Sequence, residues 1–123
     1  EARLAHPGLP IVLAGFSQGG MLALDWWLLG QRSKDVHGLA LLSSSRIALG
    51  EWQPHLHRLA GLPVLVAHGQ QDQDLGFSAG EGLHRMLLDA GARVRWLPFL
   101  GGHELPLVVW RGLRRFVLDH WGP

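Results

Sequence analysis

Ile11-Val12-Leu13-Ala14, Gly38-Leu39-Ala40-Leu41-Leu42-Ser43 and Pro63-Val64-Leu65-Val66-Ala67 are short runs without a polar face. A strand wetted on one side alternates apolar and polar residues. A strand that is apolar throughout must be covered on both sides, as in a parallel sheet sandwiched by helices. The intervening segments fit that picture. Residues 21–29 read as an apolar helix closed by Gly30, residues 51–60 as a short, weak helix, and residues 77–90 as a helix ended by Gly91. Residues 93–99 add a fourth strand and residues 104–120 a final helix. Residues 1–6 read as the end of an earlier helix, broken by Pro7-Gly8-Leu9-Pro10. The expected fold is therefore α/β, a parallel sheet of about four strands with helices on both faces. Right-handed crossovers bring the carboxyl ends of all the strands to one edge, which is where open α/β sheets bind ligands.

Other bounds follow from composition. A length of 123 residues allows one domain, residues 1–123. Hydrophobic residues at 47% against 17% charged exclude a disordered chain, and six tryptophans can fill much of a small core. The absence of cysteine excludes disulfides, zinc–thiolate sites and a cysteine nucleophile. A net charge of +1, with the basic residues scattered, gives no support to nucleic-acid binding. No apolar run is long enough to span a membrane, and a cytoplasmic location is expected. The chain opens Glu1-Ala2-Arg3-Leu4, without Met, and is expected to be a piece of something longer or a processed product.

The chemistry gathers just after the strands. The first strand runs into Gly15-Phe16-Ser17-Gln18-Gly19-Gly20. A Gly-x-Ser-x-Gly pattern alone is weak, since about one sequence in ten of this composition carries it by chance. An apolar strand entering it and an apolar helix leaving it make the setting of a nucleophile elbow, a strained turn that lifts a serine hydroxyl to the sheet edge. Gly15 and Gly19 are expected to be glycine because a Cβ would clash in so tight a turn. The Gln18 backbone N–H, at a helix N-terminus, would face a developing oxyanion. The other reading of the turn is a structural strand–helix connection or a phosphate cradle. The third strand is followed by His68-Gly69-Gln70-Gln71-Asp72-Gln73-Asp74 and the fourth by Leu100-Gly101-Gly102-His103-Glu104. A serine, an acid (Asp72 or Asp74) and a histidine thus follow three strands in the order Ser, Asp, His, which the α/β-hydrolase arrangement uses. Serine needs such partners because its hydroxyl is a poor nucleophile near neutral pH.

These three motifs and their spacing resemble the phospholipase/carboxylesterase branch of the α/β-hydrolases, which includes the acyl-protein thioesterases. The resemblance covers nearly all of this chain. It implies Ser17 as nucleophile, Asp72 as acid, His103 as base and His68 as a structural residue of its turn. It implies a hydrolase of carboxylic esters or thioesters that takes a small acyl substrate and needs no metal or cofactor. Two departures stand out. Gln73-Asp74-Leu75-Gly76 replaces a proline-bearing stretch after the acid. The half-domain that precedes the nucleophile strand in that family, with its second oxyanion donor, has no counterpart here. The chain therefore resembles the carboxyl-terminal half of an α/β-hydrolase, a truncated or minimal domain. The alternative function is a non-catalytic fragment or assembly module that retains the triad residues.

Several other features have mainly bland readings. His55 and His57 lie two apart, do not share a helix face and have no carboxylate to complete a metal set. Trp26 and Trp27 read as core or as facing a missing half of the sheet, and Trp52 as a candidate wall of the acyl pocket. Ser43-Ser44-Ser45 reads as an edge loop within reach of ligand, and Arg111, Arg114 and Arg115 as a solvated helix face. The elbow strand is expected to be an unprotected edge, and the helix after it is more apolar than one face requires. A homodimer, or pairing with an amino-terminal half, is the expected remedy.

Overall fold

The computed structural model describes residues 11–30, 35–46 and 49–122. The helix expected at residues 1–6 lies outside them. The elements, in chain order, are β1 (Val12–Phe16), α1 (Gln18–Leu29), β2 (Gly38–Leu42) and α2 (Leu49–Trp52), the last running on as a 3-10 helix (Gln53–Leu59). Then come β3 (Pro63–Gly69), α3 (Phe77–Asp89), β4 (Arg93–Phe99) and α4 (Leu107–Trp121). The strands form one parallel sheet in the order β1-β2-β3-β4.

A sheet that grows in one direction through right-handed crossovers must carry all its crossover helices on one face. That distribution is observed. Leu39, Leu41, Val64 and Val66 point to one side and pack with Leu24 and Leu28 of α1, Trp52, and Leu83 and Leu87 of α3. Ala40, Leu42, Leu65 and Ala67, one residue out of phase, point to the other and meet Val109 and Phe116 of α4. The fold is α/β with helices on both faces, three segments against one.

Some boundaries differ from expectation. Helix α1 starts at Gln18, not at residue 21, because Ser17 alone makes the turn. Helix α4 starts at Leu107, not at residue 104. A residue before proline is driven out of the helical region, so Leu105 cannot be helical ahead of Pro106, which caps the helix. Trp52 is not a pocket wall. It is 0% exposed, and its indole N–H donates to Asp25 Oδ1 at 2.8 Å, pinning α2 to α1. Trp27 is core, whereas Trp26 is 42% exposed.

The two sheet edges are unlike. Strand β4 carries Arg93, Arg95 and Pro98, all of which discourage further pairing. Arg95 also reaches over to α4, pairing with Asp119 at 2.8 Å. Strand β1, on the opposite edge, has no such feature, and Ala14 is exposed. On α1 beside it, Leu22, Trp26 and Leu29 are exposed large apolar residues. No described helix is long and apolar enough to cross a membrane.

Candidate active site

Ser17 is the single residue between β1 and α1, and it holds φ 56°, ψ −120°. Such a conformation is costly for a residue with a side chain and persists only where its surroundings enforce it. Four hydrogen bonds do so. The Ser17 N–H donates to Leu42 O at 2.8 Å, extending the β1–β2 ladder one step. The Ser17 carbonyl accepts the N–H groups of Gly20 and Met21 at 3.1 and 3.3 Å. It also accepts the Ser44 hydroxyl at 2.6 Å. The close approach depends on two glycines. A Cβ on Gly15 would come within 2.3 Å of the Gly19 carbonyl carbon, and one on Gly20 within 2.0 Å of Ser44 Oγ. Gly19, expected to be sterically required, has open space where a Cβ would stand. The second crowded position of the elbow is Gly20, because its neighbour comes from the β2 loop and not from the turn itself. Gln18 is the first residue of α1, and N–H groups in a helix's opening turn have no carbonyl one turn back to meet.

Ser43 and Ser44 are not the ligand-touching loop expected. Both are buried, and Ser44 serves the elbow.

Asp72 follows β3 and is 6% exposed. Its Oδ1 accepts the N–H groups of Leu75 and Asp74, at 2.7 and 2.9 Å. Its Oδ2 lies 2.7 Å from His103 Nδ1. Burial pushes the Asp72 carboxyl up. The Leu75 N–H, the His103 imidazole and the Asp74 N–H together outweigh that push and hold it below the ordinary value of 3.8. His68, fully buried, has Nε2 at 2.7 Å from Leu75 O and so ties down the far side of the same turn.

His103 stands on the loop after β4. Its Nε2 is 3.0 Å from Ser17 Oγ. An ionised carboxylate can only accept, so Nδ1 carries the proton given to Asp72. Nε2 of the neutral ring is then free to accept the Ser17 O–H. The Phe16 ring lies against the imidazole, centroids 4.8 Å apart. Serine, histidine and aspartate thus form one hydrogen-bonded line across three strand ends. Asp72, not Asp74, touches the histidine. The donor atoms of Asp72, Asp74 and His103 lie within 4.8 Å of one another, which is close enough to suggest a metal. Those of Asp72 and His103 are already committed to each other, and no metal is assigned there.

Sequence reasoning missed three contributors: Phe16, Ser44 and Gln71, whose Oε1 accepts the Gly101 N–H at 2.5 Å. Phe16 and Gln71 lie inside the motifs and Ser44 in the loop after β2, but nothing local distinguishes them from ordinary turn residues.

Residues 7–118 match the family model described as Phospholipase/Carboxylesterase. No match is found among curated proteins. Among solved structures the chain is similar to the esterase PE8, with 25% identity, TM-score 0.76, and coverage of 88% of this chain and 49% of that one. It is also similar to SOBER1 of Arabidopsis thaliana, with 23% identity, TM-score 0.74, and coverage of 95% and 57%. Acyl-protein thioesterase 2 of Zea mays follows at 17% identity, TM-score 0.75, and coverage of 86% and 54%. The last two likenesses speak for the fold alone. The chain spans about half the length of these solved structures.

Proposed function

Because the chain belongs to the phospholipase/carboxylesterase family, we propose that it is a serine hydrolase that cleaves carboxylic esters or thioesters through an acyl-enzyme. One observation carries the reading: Ser17 Oγ, His103 Nε2, His103 Nδ1 and Asp72 Oδ2 are joined by contacts of 3.0 and 2.7 Å. As Ser17 Oγ attacks the acyl carbon, its proton passes to His103 Nε2. Asp72 holds the ring and stabilises the imidazolium. The Gln18 N–H donates to the oxyanion of the tetrahedral intermediate. His103 returns the proton to the departing alkoxide or thiolate, and water, activated the same way, releases the acid. A metal or cofactor has no part in these steps.

A second reading, a non-catalytic assembly module, draws on the open edge of β1 and the exposed Leu22, Trp26 and Leu29. The same features support pairing with a second copy of this chain, or with an amino-terminal half, which would also supply the second oxyanion donor. Loss of one such donor costs about 10²–10³ in rate, so slow turnover alone does not separate the readings. A fluorophosphonate probe does, since it requires an activated serine and little else. Stoichiometric labelling at Ser17, absent in Ser17→Ala and in His103→Ala, is expected. A folded protein whose Ser17 does not react would leave the module as the better description.

A further inference from the structure

Strands β3 and β4 pair from Pro63 opposite Arg93 to Gly69 opposite Phe99. The backbone ladder continues a little further. The Gln70 N–H donates to Phe99 O at 2.8 Å, and the Gln71 N–H to Gly101 O at 2.9 Å. In a longer ladder the Gly101 N–H would donate to a backbone carbonyl. Here it donates to the side-chain Oε1 of Gln71. One residue therefore holds both polar groups of Gly101. The two turns also touch backbone to backbone, since a Cβ on Gly69 would come within 2.3 Å of Gly102 O and 2.5 Å of Gly101 O.

We propose that Gln71 is a positioning residue: its amide finishes the ladder where the strands stop and so fixes the His103 loop against the Asp72 turn. Gln71 immediately precedes Asp72, and Gly101 stands two residues before His103. The bond therefore spans the two chain segments whose side chains meet at 2.7 Å. Asparagine is one methylene short of this reach. Glutamine supplies the acceptor without adding a charge beside the Asp72 carboxylate. The bond is solvent-exposed, so its effect is that of an ordinary neutral hydrogen bond, about three- to tenfold on a rate that depends on the histidine's aim. The proposal rests on the serine-hydrolase reading for its rate consequence, though not for its geometry.

The test compares Gln71→Met, which keeps the volume and loses the acceptor, with Gln71→Glu, which keeps the acceptor. Gln71→Asn serves as a second loss variant should the methionine protein not fold. The readouts are kcat and KM on a p-nitrophenyl ester, the thermal midpoint, and the downfield NMR proton of the His103 Nδ1–H held by Asp72. Gln71→Met is expected to lower kcat about three- to tenfold with KM unchanged and to broaden that resonance. Gln71→Glu keeps the acceptor but sets a second carboxylate beside Asp72, so it is expected to retain the sharp resonance, with kcat between those of the parent and Gln71→Met. A role in stability alone would move the midpoint and leave kcat in place. Gln71→Met with parental kcat and resonance, or Gln71→Glu with the resonance broadened as in Gln71→Met, overturns the proposal. A parent protein that shows the resonance but neither labels nor turns over overturns the hydrolase reading instead, and the resonance then judges the clamp by itself.

Discussion

At the scale of single residues, the site depends on groups that local sequence makes ambiguous. Asp72 and Asp74 are both acids after the same strand, yet only one carboxylate lies against the imidazole. Asp72→Asn is expected to lower kcat by several orders of magnitude, since the wrong tautomer of His103 is then favoured. Asp74→Asn should change it less than about threefold. A larger loss at Asp74, measured on the same ester, would reverse the assignment. Asp72 also bears on stability. Its carboxyl is held below 3.8 in the folded chain. It therefore contributes stability above that value, lost as pH falls through the lower folded one. Acid unfolding followed by circular dichroism should accordingly lose part of its low-pH limb in Asp72→Asn. A histidine base must be neutral to act, so kcat/KM is expected to fall on the acid side. A kcat/KM unchanged from about pH 8 to about pH 4 would count against a histidine base.

Elements were more legible than contacts. The three apolar runs announce strands because burial on both faces leaves no room for polar residues, and β1, β2 and β3 lie where those runs are. The turn after β1 was readable because strand, glycines and helix adjoin in sequence. Trp52 was not, because an indole's surroundings are set by what folds over it. Here that is α1, whose Asp25 lies 27 residues upstream. Ser44 and Gln71 look like solvated loop residues until segments 27 and 30 residues away arrive to meet them. The same reason made Gly19 look essential while Gly20 carried the crowding. Trp52→Ala should destabilise the chain by about 3–5 kcal/mol through the cavity it leaves. Asp25→Ala, which removes only the indole's acceptor, should cost about 1–3 kcal/mol. Urea titrations of both variants separate the packing from the bond. Two helices also carry acid-sensitive histidines. His84 on α3 stacks on Trp96 of β4, and His120 on α4 packs against Phe116 and Trp121. Burial lowers both pKa values from 6.5, helped by Arg85 for His84 and by Arg93 and Arg95 for His120. The unfolded chain therefore binds protons first, and stability should fall as pH drops below about 6.5 and recover on return. His84→Gln together with His120→Gln should flatten that slope in thermal melts between about pH 7 and pH 5.

For the molecule as a whole, the edges decide behaviour. Strand β4 is guarded by arginines and a proline, and β1 is not. The exposed Leu22, Trp26 and Leu29 lie on the helix that covers it. Each large apolar side chain left in water forgoes about 1.5–3 kcal/mol, in a fold whose total stability is on the order of 5–15 kcal/mol. Light scattering behind a sizing column should therefore find a species larger than one chain, and activity should fall on dilution along with it. A stable monomer at micromolar concentration would remove the argument. The order β1-β2-β3-β4 has a further consequence, one of time. Each strand pairs with the one made just before it, so the sheet can grow outward as the chain leaves the ribosome. The Ser17 hydroxyl must wait for a histidine 86 residues later. Until those residues are made, the nascent chain would hold a bent elbow with no base beside it. Labelling of Ser17 by the fluorophosphonate during refolding should therefore rise only with the phase that brings β4 and the His103 loop onto the sheet.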